Sequence, residues 1–191
     1  MTTRIDVSDI EGTYCYCSEG SADLIRHRIS GQPLCAIHLL GTGDYHYLTL
    51  FFLERITTDF ALVLFDNHPD DQPGAFDKDL LTCGSWVKTA RESLPYMKAD
   101  IWNGNGTVPS DMAVYLSIDL DILSREFAST DWDQGDYSID RLTGEIMKTV
   151  SGHKLIGVDI CGGLKEPDSA GNALNSAATD AICRFINQLT H

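Results

Sequence analysis

Short, continuous apolar runs alternate along the chain with amphipathic segments. The runs that predict strands are 34–40, 60–65, 99–102, 112–118 and 154–158. Apolar residues on both faces of a strand are typical of a parallel sheet that helices cover on either side. The pattern therefore predicts an α/β protein in which helices connect the strands.

Amphipathic periodicity and capping residues predict the helices. Their expected bounds are 44–56, 84–94, 138–150 and 169–189, with a further helix in SADLIRHRI at 21–29. Asp44 and Ser138 are expected to be N-caps, because their side-chain oxygens can accept a hydrogen bond from a backbone N–H of the first turn. Pro95 is expected to end the helix over 84–94.

Composition excludes several classes of function. The 191 residues, 43% of them hydrophobic, predict a single domain over 1–191 with one full core. A formal net charge of -14 argues against nucleic-acid and anionic-membrane partners, whose phosphates would be repelled. The longest apolar run, Tyr47–Leu53, is too short to span a bilayer. We therefore expect a small-molecule substrate, for which a cation would suit the charge, and a homo-oligomer stays an open alternative.

The cysteines and the N-terminus predict a cellular compartment. The opening MTTRIDVSDIEG lacks the apolar core of a secretory signal. We therefore expect a cytoplasmic protein whose six cysteines are reduced thiols. Cys15 and Cys17 form a C-x-C pair without a second pair at zinc-finger spacing, so they are expected to be buried or incidental.

Acidic and imidazole groups follow four of the predicted strands, beginning with the alternation of Asp and His in LVLFDNHPDDQ at 62–72. Because ligands of parallel sheets bind beyond the carboxyl ends of the strands, these groups are expected to meet. Helix capping or Asx-turns would explain each carboxylate alone. A cluster of buried carboxylates, however, repels itself and is usually held by a cation, which predicts a metal site. The residues are Asp44, His46, Asp66, His68, Asp70, Asp119, Asp121 and Asp159.

Three of these segments resemble motifs of the ureohydrolases, the family of arginase, agmatinase and formiminoglutamase. FDNHPD resembles Asp-Ala-His-x-Asp, SIDLDIL resembles Ser-x-Asp-x-Asp-x-x-Asp, and GTGDYHYLT resembles a Gly-Gly-Asp-His loop with Tyr45 inserted. The resemblance runs from about residue 34 to the C-terminus. It implies the three-layer α/β/α sandwich, with a mainly parallel sheet, that arginases share with histone deacetylases.

The resemblance also implies a binuclear manganese centre. Two Mn²⁺ ions per chain are expected, with Asp66 and Asp119 as bridges, and Fe, Co, Ni or Zn are alternatives that the ligand set allows. A hydroxide bridging the ions would attack an amidine or a linear amide. Asp70 is assigned a catalytic role besides its role as a ligand. The six ligands implied are His46, Asp66, His68, Asp70, Asp119 and Asp121.

Departures from the family concern the substrate. Asp159 in IGVDICGG lies near the place of an acidic residue, usually Glu, that binds the substrate guanidinium, so Asp159 is assigned to substrate binding. The alternative is that it orients a metal ligand. Gln72 is also assigned to substrate binding, with an exposed amide as the alternative. Cys83 lies near the place of the proton-shuttle histidine of arginases, and packing at a helix start is the alternative there.

Three functions follow from the sequence. The first is a metal-dependent hydrolase of non-peptide C–N bonds. The second is a deacetylase-like amidohydrolase on the same fold, although deacetylases use a paired-histidine motif and DYHY contains one histidine. The third is a non-catalytic metal-binding or regulatory domain.

Overall fold

A six-stranded sheet forms the centre of the computed structural model, which describes residues 1–73, 80–166 and 169–189. Its strands are β1 (Thr2–Arg4), β3 (Ile37–Leu39), β4 (Phe60–Phe65), β6 (Met97–Trp102), β7 (Ala113–Asp119) and β8 (Leu155–Cys161). They lie in the order β1-β3-β8-β7-β4-β6, and each neighbouring pair is parallel. An antiparallel ribbon of β2 (Tyr16–Cys17) and β5 (Leu81–Thr82) stands apart from the sheet.

Helices cover both faces of the sheet. They are α1 (Ser21–Ile29), α2 (Leu48–Leu53), α3 (Trp86–Ser93), α4 (Ile139–Val150) and α5 (Ser169–Leu189). Helices α1 to α3 share one apolar core with the sheet, and α4 and α5 share the other. The predicted three-layer α/β/α sandwich with a parallel sheet is thus confirmed.

Local sequence signals succeed where they are strong. The strand 60–65 consists of six buried apolar residues and has the predicted bounds. Helix α4 begins after Ser138, whose side chain accepts a hydrogen bond from the Arg141 N–H at 3.1 Å, as expected of an N-cap. None of the helices in the described part of the chain combines the length and the apolar character that a membrane span requires.

Two element predictions were wrong in ways that matter for the site. The helix expected over 44–56 begins only at Leu48, and Asp44 lies in a 3-10 turn, Gly43–Tyr45. The Asp44 carboxylate accepts hydrogen bonds from the Thr42 hydroxyl and the Cys15 thiol instead of capping a helix. Strand β8 continues past residue 158 to Cys161, so Asp159 lies within the strand rather than beyond it.

One face of the sheet carries polar groups among its apolar ones. Alternate residues of β7 and β8 face the core that α1 to α3 cover, and Ser117, Asp119 and Asp159 occupy such positions. Ser117 and Asp159 are neighbours across the two strands, and His38 of β3 is the next residue in the same row. All four side chains are buried, so their polar atoms need partners inside the protein.

Candidate metal centre

The six side chains that the motifs single out line a single cavity of about 470 Å³. They come from the 3-10 turn after β3, the loop after β4 and the end of β7, which are three carboxyl ends of parallel strands. The cavity is also lined by Cys15, Tyr16, Gln72, Thr82, Cys83 and Trp132. The structure thus brings the six predicted side chains together at one edge of the sheet, with Gln72 beside them, and their role as ligands stays a prediction.

His46 stands at the centre of a first group of candidate ligands. Its Nδ1 atom is 3.0 Å from Asp66 Oδ2 and 3.1 Å from Asp70 Oδ2, and Asp119 Oδ2 lies 3.6 Å away. Burial alone would lower the pKa of His46, but the neighbouring Cys161, Asp66 and Asp70 together raise it well above its usual value. The His46 imidazole is therefore surrounded by negatively charged groups.

His68 forms a second group with the other carboxylates. Its Nδ1 atom is 2.8 Å from Asp121 Oδ2 and 3.6 Å from Asp66 Oδ1. The two groups therefore share Asp66, which turns Oδ2 toward His46 and Oδ1 toward His68. A carboxylate with one oxygen in each group has the arrangement of a bridge between two cations.

The buried carboxylates of the site repel one another. Burial and then the charge of Asp66 raise the pKa of Asp70 to about 6. Burial, Asp121 and Asp66 raise the pKa of Asp119 well above its usual value. Divalent cations would relieve this repulsion, and a donor set of carboxylate oxygens and imidazole nitrogens suits Mn²⁺. The residues present fit the implied metal centre.

Local hydrogen bonds fix two of the candidate ligand pairs that are two residues apart. The Asp66 side chain accepts a hydrogen bond from the His68 backbone N–H at 2.6 Å, and Asp119 accepts one from the Asp121 N–H at 2.8 Å. Each first Asp thereby forms an Asx-type turn that fixes the direction of the second ligand. Asp70 has a φ of 49°, and Trp86 Nε1 donates to its Oδ2 at 2.7 Å, which holds the carboxylate in place.

Asp159 lies behind His46 and outside the set of residues that line the cavity. The Ser117 hydroxyl donates to Asp159 Oδ1 at 2.6 Å, and the His46 Nε2 atom is 2.8 Å from the same hydroxyl. Asp159 is completely buried. Its assignment to substrate binding stays a prediction, and this position instead favours the alternative that it orients a ligand.

Replacing Asp159 with Asn is expected to weaken Mn²⁺ binding about 10–100-fold. The Asp159 carboxylate directs the Ser117 hydrogen toward itself, so that the hydroxyl oxygen accepts from His46 Nε2–H and leaves Nδ1 free for a cation. Titration of the metal-free variant with Mn²⁺ measures the effect, and Glu126→Gln is the matched control because Glu126 is exposed. A substrate role predicts the opposite result, which is unchanged Mn²⁺ affinity with a raised Michaelis constant.

Metal loading is expected to release at least one proton at about pH 7. Hydrogen bonds to Asp121 and Asp66 raise the pKa of His68 to about 10 in the metal-free protein. Below that pH the imidazole carries a proton that a cation must displace, so Mn²⁺ affinity should rise with pH between about 6 and 9. Calorimetry in two buffers of different ionisation enthalpy counts the protons. Equal heats in both buffers together with a pH-independent affinity would contradict this prediction.

Four residues at the site were not assigned to it from the sequence. The Cys161 thiol donates to Asp119 Oδ2 at 2.9 Å, Ser117 supports His46, Trp86 holds Asp70, and the Trp132 ring lies 6.2 Å from the His68 ring. Ser117 belongs to the SIDLDIL segment, so the motif itself contained a signal for it. The roles of the two tryptophans depend on tertiary packing, and no local pattern predicts them.

The backbone of Gly162 packs directly against Asp119. Its φ is +94°, and a Cβ atom added to it would lie 2.7 Å from the Leu120 nitrogen and would also meet Asp119 Oδ1. The chain can therefore pass this close to the carboxylate only if residue 162 has no side chain.

Comparisons with known proteins agree with this architecture. No profile of a protein family matches the chain. An uncharacterised protein of Thermotoga maritima is 32% identical in an alignment of 150 residues that covers 69% of this chain and 58% of that protein. The chain thus spans less than two thirds of the length of that relative.

Solved structures show the fold. Proclavaminate amidino hydrolase from Streptomyces clavuligerus superposes with a TM-score of 0.69 at 14% identity, over 91% of this chain and 72% of that one. Arginase from Medicago truncatula gives 0.68 at 14% identity, over 88% and 65%. A triple mutant of the T. brucei arginase-like protein bound with Mn²⁺ gives 0.64 at 19% identity, over 97% and 71%. The chain has the ureohydrolase fold.

Proposed function

We propose that this chain is a metal-dependent hydrolase of non-peptide C–N bonds, with an amidine or a linear amide as substrate. The observation that carries the proposal is the pair of ligand groups that share Asp66 at the wall of an open cavity. Hydrolytic binuclear sites need this combination of a bridging carboxylate and space for a substrate beside it. The fold shared with an amidino hydrolase and an arginase supports the same reaction class.

Six side chains would hold the metals. One cation would be held by His46, Asp66, Asp70 and Asp119. The second cation would be held by His68 and Asp121, together with Asp66 and Asp119. When bound, a pair of divalent cations supplies Lewis acidity and lowers the pKa of a water molecule at the site. We propose Mn²⁺ for both ions. The hard oxygen donors favour it, and an arginase-like protein of the same fold has been crystallised with it.

The residues of the chain itself would bind and orient the substrate. Gln72 lines the cavity, and its backbone N–H donates to the Gly84 carbonyl at 3.0 Å, which fixes the segment that carries its amide. Asp70 is held by Trp86 and faces the same cavity, where we propose that it acts in proton transfer as well as in metal binding. Trp132, partly exposed above His68, would exclude water from one side of the substrate.

A substrate screen tests the proposal. The Mn²⁺-loaded protein should hydrolyse at least one member of a panel of guanidines, formimino compounds and linear amides, while the metal-free protein hydrolyses none. A panel that contains acetylated amines also tests the deacetylase alternative. Elemental analysis should find two ions per chain. Two ions without any hydrolysis would support a non-catalytic metal-binding domain, and one ion or none would reject the binuclear centre.

A further inference from the structure

Two cysteines stand opposite each other in the wall of the metal cavity. Cys15 precedes β2 and Cys83 follows β5, the two strands of the antiparallel ribbon. Both side chains line the cavity and both are partly exposed. The proposed hydrolysis uses neither thiol, so the two cysteines could have a different role.

The register of the ribbon brings these two residues together. Tyr16 pairs with Thr82 and Cys17 with Leu81, so the next opposed pair is Cys15 with Cys83. The Cys83 backbone N–H donates to the Cys15 carbonyl at 2.9 Å, which confirms the contact. Opposed residues of an antiparallel pair have Cβ atoms about 4.5–5.5 Å apart, and a disulfide needs about 3.5–4.5 Å. Cys15 and Cys83 lie one position beyond the ladder and Cys15 has a φ of 61°, so the crosslink requires a local rearrangement of these two residues rather than of the strands.

Burial raises the pKa of both thiols. Burial is the main cause that raises the pKa of Cys15 to about 11, and the Cys83 thiol also affects it. Burial likewise raises the pKa of Cys83 to about 12, with the charge of Cys15 as the next contribution. Thiol–disulfide exchange should therefore be slow at neutral pH and faster in mildly alkaline solution.

We propose that Cys15 and Cys83 form a reversible disulfide in the cavity wall, and that this disulfide weakens metal binding at His46. The oxidant is a small disulfide such as glutathione disulfide. The two protein thiols give up two protons and two electrons as their S–S bond forms, and the S–S bond of glutathione disulfide is cleaved to two thiols. The crosslink does not depend on the proposed hydrolase, whereas the coupling rests on its metal centre.

The coupling follows from what each cysteine supports. The Cys15 thiol donates to Asp44 Oδ1 at 3.1 Å, and Asp44 is a buried carboxylate two residues before His46. Oxidation removes the thiol hydrogen of Cys15, so Asp44 Oδ1 loses this hydrogen bond. Cys83 lies three residues before Trp86, which donates to Asp70. The disulfide would therefore act on two segments that carry site residues, the 3-10 turn directly before His46 and the start of the helix that carries Trp86.

Redox titration of the full chain tests the crosslink. Metal-free protein is equilibrated at about pH 8.5 with mixtures of reduced and oxidised glutathione, digested without reduction, and mapped by mass spectrometry. We expect a peptide crosslinked through Cys15 and Cys83 that dithiothreitol separates again. Cys35 is exposed and should carry glutathione in the same sample, which shows that the oxidant is active. Free or separately glutathionylated Cys15 and Cys83 beside modified Cys35 would overturn the proposal.

Matched variants identify the bond and its effect. Cys35→Ser should keep the crosslink, and Cys83→Ser should lose it. The oxidised protein should bind Mn²⁺ about tenfold more weakly than the reduced protein, which is the lower end of the effect expected when residues next to the ligands are disturbed. By reciprocity, Mn²⁺ should shift the glutathione ratio at half-oxidation toward oxidant by the same factor. Equal Mn²⁺ affinities in the two states would reject the coupling, and no Mn²⁺ binding in either state would reject the metal centre instead.

Discussion

Asp119→Asn is expected to lose at least one of the two proposed Mn²⁺ ions and all of the proposed C–N hydrolysis. Asp119 Oδ2 lies 3.6 Å from His46 Nδ1, and Asp119 forms an Asx-type turn with Asp121. Asp119 therefore connects the two groups of candidate ligands. Its Oδ1 accepts from the Asp121 N–H and its Oδ2 from the Cys161 thiol, so an amide NH₂ at either position would face a donor. Elemental analysis after Mn²⁺ loading, together with the substrate screen, measures the result.

The same variant separates metal loss from unfolding. Whichever oxygen the amide NH₂ replaces, it faces one of these donors, at a cost of about 1–3 kcal/mol. Against this, burial and the charges of Asp121 and Asp66 raise the pKa of Asp119 well above its usual value, so an uncharged side chain is favoured at this position in the metal-free protein. The metal-free variant should therefore unfold within about 1 kcal/mol of the wild type. Glu126→Gln removes one exposed negative charge and should keep both ions. Two ions in Asp119→Asn would contradict the bridging role.

Gly162→Ala is expected to lower the free energy of unfolding by about 2–5 kcal/mol. The left-handed backbone at φ +94° disfavours any side chain, and the added Cβ would lie 2.7 Å from the Leu120 nitrogen. Because the methyl group also meets Asp119, Mn²⁺ affinity should fall together with stability. Urea denaturation of the metal-free protein and Mn²⁺ titration measure the two effects.

Gly144→Ala is the matched control for this substitution. Gly144 lies within α4, is exposed, and a Cβ there would meet nothing within 4 Å. Its replacement should raise the free energy of unfolding by about 0.5–1 kcal/mol, because alanine is the better helix former. If Gly162→Ala lowers the free energy of unfolding by no more than Gly144→Ala changes it, residue 162 is not sterically restricted.

The sequence predicted the parts of the site that depend on local chemistry. Alternation of Asp and His after a buried apolar run places Asp66 and His68 at a strand end, and the hydrogen bond from the His68 N–H to Asp66 is a local contact between residues two apart. Strand 60–65 was predictable because it is apolar on both faces. Such features need only nearest neighbours along the chain, so a single sequence contains them.

Features that depend on distant partners escaped prediction. Asp159 looks like a strand-end residue because the apolar run pauses there, but strand β8 continues in register with β7 as far as Cys161. The helix expected from Asp44 starts four residues late because Thr42 and Cys15 occupy the Asp44 carboxylate. The ribbon of β2 and β5 is two residues long in each strand, and its partners are 65 or so positions apart, which no periodicity reveals.

The place of β8 in the sheet has a consequence for synthesis on the ribosome. Strand β8 lies between β3 and β7, although it follows every other strand of the described sheet along the chain. Before it emerges, β1-β3 and β7-β4-β6 are two separate pieces with unpaired edges, which are prone to association with other chains. At roughly 5–20 residues per second, the nascent chain must survive several seconds in that state. A ribosome that stalls before residue 155 would therefore leave an aggregation-prone polypeptide in which His46 and Asp119 belong to different halves.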